Sequence, residues 1–110
     1  MFTIKQYDTT PSLEVVLLDH LGMPVNLTGC TVTFSMRSRD DNALVIDGPA
    51  FIFEALNGKV VYEFISGDTS TSGAFYGEVR VKYPNLSLET FPNADYININ
   101  IVKAAGLIPA

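Results

Sequence analysis

His20 is the only histidine of the chain, and it follows Asp19 directly. A histidine beside a carboxylate is the combination that orients a general base, and a serine would complete a hydrolytic triad. The segment Asp19-His-Leu-Gly22 is typical of a turn, so the serine would have to come from a distant part of the chain. We therefore expect His20 to be a solvated turn residue rather than a catalytic base.

Cys30 is the only cysteine, so the chain cannot form an internal disulfide. It shares the apolar face of a predicted strand with Val32, Phe34 and Met36. A thiol in such a position behaves as a small buried hydrophobic group, because burial raises its pKa and disfavours the reactive thiolate. We predict that Cys30 packs in the core.

Acidic side chains that could bind a cation occur in two loops, at Asp40-Asp-Asn42 with Asp47 and at Asp68. Neither spacing matches a calcium-binding loop, and Asp and Asn commonly close turns with their own side chains. Gly67 and Gly73 lie between predicted strands, without the helix N-terminus that a phosphate-binding loop requires. We predict no metal, no cofactor and no enzymatic activity.

Composition excludes several classes of partner. The net charge is −5 with only seven Lys and Arg, so the chain lacks the basic surface that nucleic acid binding requires. No stretch approaches the roughly 20 apolar residues that span a bilayer, and the N-terminus lacks the apolar core of a secretion signal. We expect synthesis in a cytoplasm. Charged residues make up 17% of the chain, against about 25% in typical domains, which favours a partly covered surface.

The sequence around these residues indicates β-strands. Ile97, Ile99 and Ile101 alternate with two asparagines, which predicts a half-buried strand over residues 96–102. Alternation also predicts strands over 30–36 and 75–83, and Gly77 within the latter indicates a bulge or a close backbone approach. The Asn57-Gly58 pair predicts a hairpin turn. The remaining predicted strands cover residues 3–7, 13–18, 43–46, 51–54 and 59–64.

About seven or eight short strands in 110 residues indicate an all-β domain built as an antiparallel β-sandwich. We take an immunoglobulin-like order as the first hypothesis, with a jelly roll or a small barrel as alternatives. Tryptophan is absent, so any immunoglobulin likeness concerns architecture rather than sequence. The domain is predicted over residues 1–103, and residues 104–110 form either the start of a linker or a peptide that docks on a neighbouring molecule.

Apolar side chains on the outward side of two predicted strands are the candidate interface. The strand over residues 13–18 begins amphipathic and becomes apolar on both faces, which leaves Val16 and Leu18 directed away from the core. Val61 occupies a similar position on its own strand, and Leu107 and Ile108 are the apolar residues of the tail. The alternative is that loops or the second sheet of the same domain cover Val16, Leu18 and Val61.

Two aromatic residues raise the possibility of saccharide binding. Tyr76 projects from the outward face of its strand, and Phe91 precedes Pro92 in a predicted loop. Exposed rings that converge with polar groups on a groove would form a carbohydrate-binding or adhesin site. This is the alternative to a role in protein–protein contact.

An ordered set of short motifs over residues 4–102 resembles the N-terminal domain of phage baseplate upper proteins. These motifs are Pro11-Ser-Leu13, Leu17-Leu-Asp-His-Leu-Gly-Met-Pro24, Val25-Asn-Leu-Thr-Gly-Cys-Thr-Val-Thr-Phe34, Gly58-Lys-Val-Val-Tyr62, Gly73-Ala-Phe-Tyr-Gly-Glu-Val79 and Thr90-Phe-Pro92.

The resemblance implies a non-catalytic β-sandwich that attaches tail fibres or receptor-binding proteins to a phage particle. We therefore expect a structural interaction module of the virion tail or baseplate, made in the cytoplasm of a host bacterium. Its expected partners are other virion proteins and further copies of itself, with no nucleic acid and no membrane. Symmetry would multiply a modest contact made by an edge strand or an apolar outer face.

Overall fold

Nine β-strands form the protein in a computed structural model that describes residues 1–106. They are β1 (Phe2–Lys5), β2 (Leu13–Val16), β3 (Thr31–Ser38), β4 (Leu44–Pro49), β5 (Phe51–Glu54), β6 (Lys59–Tyr62), β7 (Gly73–Lys82), β8 (Leu88–Phe91) and β9 (Ile97–Val102). The only helical element among these residues is a 3-10 turn at Ala55–Asn57. No helix of residues 1–106 has the length and apolar character needed to cross a membrane. The all-β prediction is confirmed, and β8 is the strand that it missed.

The strands form two packed sheets. The large sheet has the order β1-β9-β7-β3-β4, with β8 also paired to β7, and the small sheet has the order β2-β6-β5. β7 has ten residues, so its first half pairs with β9 and its second half pairs with β8. The predicted antiparallel arrangement holds for every pair except β1 with β9, which run parallel.

The core lies between the inner faces of the two sheets, and strand alternation determines which side chains reach it. Val32, Phe34 and Met36 of β3 are buried, as are Ile99 and Ile101 of β9. Tyr62 of the small sheet packs on Phe34 of the large sheet with ring centroids 4.8 Å apart. This aromatic contact joins the two sheets directly, and such pairs contribute beyond the area that they bury.

The predicted hairpin between β5 and β6 is present, with the 3-10 turn as its connection. Gly58 ends this turn in the left-handed conformation, with φ of +64°. A Cβ atom at this position would lie 2.6 Å from the carbonyl oxygen of Leu17, so the packing of β2 also requires glycine here.

The prediction of a close approach to the backbone at Gly77 is confirmed. A Cβ atom there would lie 2.8 Å from the Phe34 ring and 3.2 Å from the Ile99 side chain. The register with β3 and β9 is regular through Gly77, so this position is not a bulge. The missing side chain makes room for the Phe34 ring against the backbone of β7.

We predict that Gly77→Ala lowers the free energy of unfolding by about 1–3 kcal/mol, because the added methyl group overpacks the Phe34 ring. Urea denaturation of purified protein measures the change. Gly48→Ala is the matched control, since Gly48 also pairs with Phe34 but a Cβ atom there would have no other atom within 4 Å. Equal effects of the two substitutions would contradict this account of Gly77.

Candidate interaction surface

The outward side of the small sheet carries an apolar surface, which we call the small-sheet face. It comprises the outward side chains of Glu14, Val16, Phe51, Phe53, Lys59 and Val61. Phe51 lies opposite Val61, which lies opposite Glu14, so one row crosses all three strands. Val16 lies opposite Lys59 in the next row. On the other side of Lys59, the register irregularity after Ile52 places Phe53 beside this lysine. Cross-strand neighbours of this kind form one continuous surface.

The apolar side chains of this region remain accessible in the described chain. Relative exposure is 49% for Val16, 46% for Leu18, 55% for Phe51 and 48% for Phe53. Val61 on the central strand is half-buried between its neighbours. Of the predicted interface residues, Val61 lies opposite Glu14 and diagonal to Val16, and Leu18 lies two residues beyond Val16. Residues 1–106 leave about half of Val16 and Leu18 uncovered. Leu107 and Ile108 lie outside the described residues.

Phe51 and Phe53 were not among the predicted interface residues. Sequence alternation contained a signal for both, because Ile52 packs on the core while its two neighbours point the other way. What the sequence did not supply was the strand order, which places β5 on the same sheet as β2.

An ion pair lies at one margin of the small-sheet face. Nζ of Lys59 is 2.8 Å from Oε2 of Glu54. Hydrogen bonding to Glu54, with its negative charge, raises the pKa of Lys59, and the same pair lowers the pKa of Glu54. Both groups are exposed, so the pair contributes little to stability and leaves the centre of the face uncharged.

The outer edge of β2 has no partner strand among residues 1–106. The N–H of Leu17 donates to the carbonyl of Gly58 at 2.8 Å, so odd-numbered residues of this strand direct their backbone groups towards β6. Backbone groups of successive strand residues point to opposite sides. Those of Glu14, Val16 and Leu18 therefore point outward, and we call these three residues the β2 edge.

A groove runs beside the β2 edge. It has a volume of about 240 Å³ and lies between residues 15–18 and residues 91–93. Phe91 was predicted to lie in a loop, but it is a buried residue of β8 and forms part of the groove's wall. Phe91 is therefore not available for stacking on a sugar, because its ring belongs to the core.

The residues considered for catalysis lie in a turn and against the core. His20 is exposed in a turn, which the Asp19 carboxylate closes by accepting the N–H groups of Leu21 at 2.9 Å and Met23 at 3.0 Å. The Met23 hydrogen bond, followed by that of Leu21 and the charge of His20, holds the pKa of Asp19 below its usual value. Cys30 is half-buried and packs against the core, and burial raises the pKa of its thiol.

Asp41 and Asp68 act in turns, whereas Asp47 lies in β4 and accepts the Ser35 hydroxyl at 2.8 Å. Asp41 accepts the N–H of Ala43 at 3.0 Å. Asp68 accepts the Tyr62 hydroxyl at 2.7 Å and the N–H of Ile65 at 2.9 Å. Among residues 1–106, no group of three or more His, Cys, Asp or Glu side chains is arranged to bind a metal ion.

A polar concavity of about 310 Å³ lies on the outer face of the large sheet. Its lining is Thr33, Ser35, Arg37, Leu44, Asp47, Glu78, Arg80 and Thr90, which includes no aromatic ring. Tyr76 packs instead against Tyr96 with ring centroids 4.4 Å apart and planes inclined by 53°. The Arg39 guanidinium lies 5.4 Å from the Tyr76 ring centre. These rings contact their own chain and do not form a flat stacking platform.

Comparison with solved structures supports the architecture. The crystal structure of CopC from Methylosinus trichosporium OB3b matches with a TM-score of 0.57 at 10% sequence identity, over 97% of this chain and 88% of that chain. At this identity the similarity defines the class of fold, a β-sandwich, and nothing more. No curated protein sequence matches the chain significantly.

Comparison of the sequence with family models identifies the family. The family model described as the BppU N-terminal domain matches residues 2–105, which is nearly the whole chain. The chain therefore belongs to the family of phage baseplate upper protein N-terminal domains, as its motifs predicted. Membership places it among the structural proteins of the bacteriophage baseplate.

We predict that the backbone amides of Val16 and Leu18 exchange hydrogen at least about tenfold faster than that of Leu17, which is bonded to Gly58. Hydrogen exchange followed by NMR on dilute protein measures all three rates. Leu17 is the internal control, because it lies in the same segment. Equal protection of Val16 and Leu17 would show that the β2 edge is already covered.

Proposed function

We propose that this chain is a non-catalytic attachment module of the phage baseplate, which holds another virion protein against the small-sheet face. The observation that carries the proposal is the exposure of Val16, Phe51 and Phe53 on one continuous surface. Large contiguous apolar patches are uncommon on monomeric soluble proteins and mark sites of interaction.

The residue types of this surface suit a protein partner. Aromatic side chains are enriched at the centres of protein interfaces, where charged side chains are depleted. Phe51 and Val61 form such an apolar centre, while Glu14 and the Lys59–Glu54 pair lie around it. The net charge of −5 further favours a protein over nucleic acid.

We also propose that each phage particle contains several copies of this chain. Most assemblies of identical chains are symmetric, and symmetry allows a contact of modest area to be repeated until attachment is stable. The partners are then other virion proteins and neighbouring copies of this chain. The site of action is the tail or baseplate, and the site of synthesis is the cytoplasm of the host bacterium.

A saccharide-binding role is the second candidate. The polar concavity on the outer face of the large sheet favours it, since hydroxyl, carboxylate and guanidinium groups converge there. The absence of an aromatic ring from its lining is why the attachment role ranks first.

We predict that Phe51→Ser in the phage that encodes this chain reduces the number of copies in purified particles by about tenfold, since an interface aromatic commonly contributes more than about 1.4 kcal/mol. Quantitative mass spectrometry of the particles measures the copy number. The purified variant should keep its melting temperature, because Phe51 is 55% exposed.

Leu86→Asn is the matched control. Leu86 is 70% exposed, lies outside the small sheet and has φ of +73°, a conformation that asparagine adopts readily. This variant should enter particles normally. Absence of the wild-type chain from purified particles, or equal loss with both substitutions, would overturn the proposal.

A further inference from the structure

We propose that the β2 edge binds an extended, uncharged segment of a partner virion protein, which adds to the small sheet as a fourth strand. The inference deepens the proposed attachment role and rests on it, by naming the form of the partner and the chain edge that receives it. Strand addition of this kind supplies affinity through backbone hydrogen bonds and specificity through alternate side chains.

The backbone of the β2 edge has the regularity that strand addition requires. β2 pairs with β6 in an unbroken register, and Glu14, Val16 and Leu18 direct their backbone groups outward at every second residue. Together these positions span about 14 Å, at roughly 3.4 Å per residue. A partner segment of about five residues matches this length.

Two other sheet edges, those of β5 and β4, carry features that discourage pairing. The β5 edge has a register irregularity between Ile52 and Glu54. The β4 edge has an irregular register with β3 and ends at Pro49. Bulges and prolines of this kind protect edge strands from adventitious pairing. The β2 edge has neither over residues 13–16, which distinguishes it from the protected edges.

The groove beside the edge specifies the chemistry of the added segment. No charged side chain lines it, because its walls are Val15, Val16, Leu17, Leu18, Phe91, Pro92 and Asn93. A charge entering this groove would lose water without gaining a counter-charge, which is costly. Side chains that alternate into the groove should therefore be aliphatic, while those facing outward lie beside Val16 and Leu18.

The probe that tests the proposal is a blocked synthetic peptide, acetyl-Lys-Thr-Val-Thr-Val-Thr-Lys-amide, whose lysines extend beyond the groove. Titration followed by NMR should show saturable shifts confined to residues 14–18 and 91–93. A peptide with glutamate in place of both valines should bind at least about tenfold more weakly, because its carboxylates would enter the uncharged groove.

Two backbone-modified peptides separate strand addition from general apolar contact. One is N-methylated on both valines and the other on all three threonines, so each loses the N–H groups of one side of the strand. Strand addition predicts that one peptide loses binding and the other retains it. Equal binding by both would overturn the proposal, as would shifts centred on β4 or β5.

Val16→Pro provides the matching change in the protein. It removes an N–H group that points outward and keeps the bonds between β2 and β6, so proline is tolerated at this position. We expect peptide binding at least about tenfold weaker, with an unchanged melting temperature. The N-methylated peptides test the same bonds in the wild-type chain if this variant fails to fold.

Phe51→Ser separates this inference from the proposed function. It alters the small-sheet face and leaves the β2 edge intact, so peptide binding should be unchanged even where particle incorporation falls. Loss of peptide binding in this variant would overturn the assignment to the edge. A wild-type dimer in light scattering that Val16→Pro converts to a monomer would also overturn it, because a second copy would then occupy the edge.

Discussion

The core of the sandwich is arranged around Phe34, which packs between the two sheets. Its ring lies against the bare backbone of Gly77 within the large sheet and contacts Tyr62 of the small sheet. Tyr62 in turn makes an edge-on contact with Phe64 at 5.3 Å, and its hydroxyl donates to Asp68, which orders the following loop. One large ring thus sets the spacing of the sheets, and a side chain at position 77 would displace it.

The unequal size of the sheets explains where the candidate surface lies. The large sheet has six strands and the small sheet has three, so the large sheet covers the whole inner side of the small one. The outer side of the small sheet and the β2 edge have no further element of residues 1–106 to cover them. The outer face of the large sheet is polar and hydrogen-bonded within itself, as Ser35 with Asp47 shows at 2.8 Å. The two faces therefore differ in character, and the apolar one belongs to the smaller sheet.

Local sequence pattern predicted the strands with strong alternation, including β3 and β9, because apolar buried residues alternate with polar exposed ones along them. It missed β8, since Leu88-Glu-Thr-Phe91 shows no apolar alternation, Leu88 being exposed and Phe91 buried, and it therefore treated Phe91 as a loop residue. The parallel pairing of β1 with β9 joins opposite ends of the chain and has no local signal. The candidate surface was also only partly predictable from local pattern. Val16 and Leu18 were predicted, whereas Phe51 was identified only from the strand order, which places β5 in the same sheet as β2.

The decisive experiment is a cryo-electron microscopy reconstruction of the baseplate from the phage that encodes this chain. We expect density for the sandwich in which the small-sheet face is buried against a neighbouring protein, while the polar outer face of the large sheet is open to solvent. A baseplate in which the small-sheet face is open and the large sheet makes the attachment would contradict this expectation.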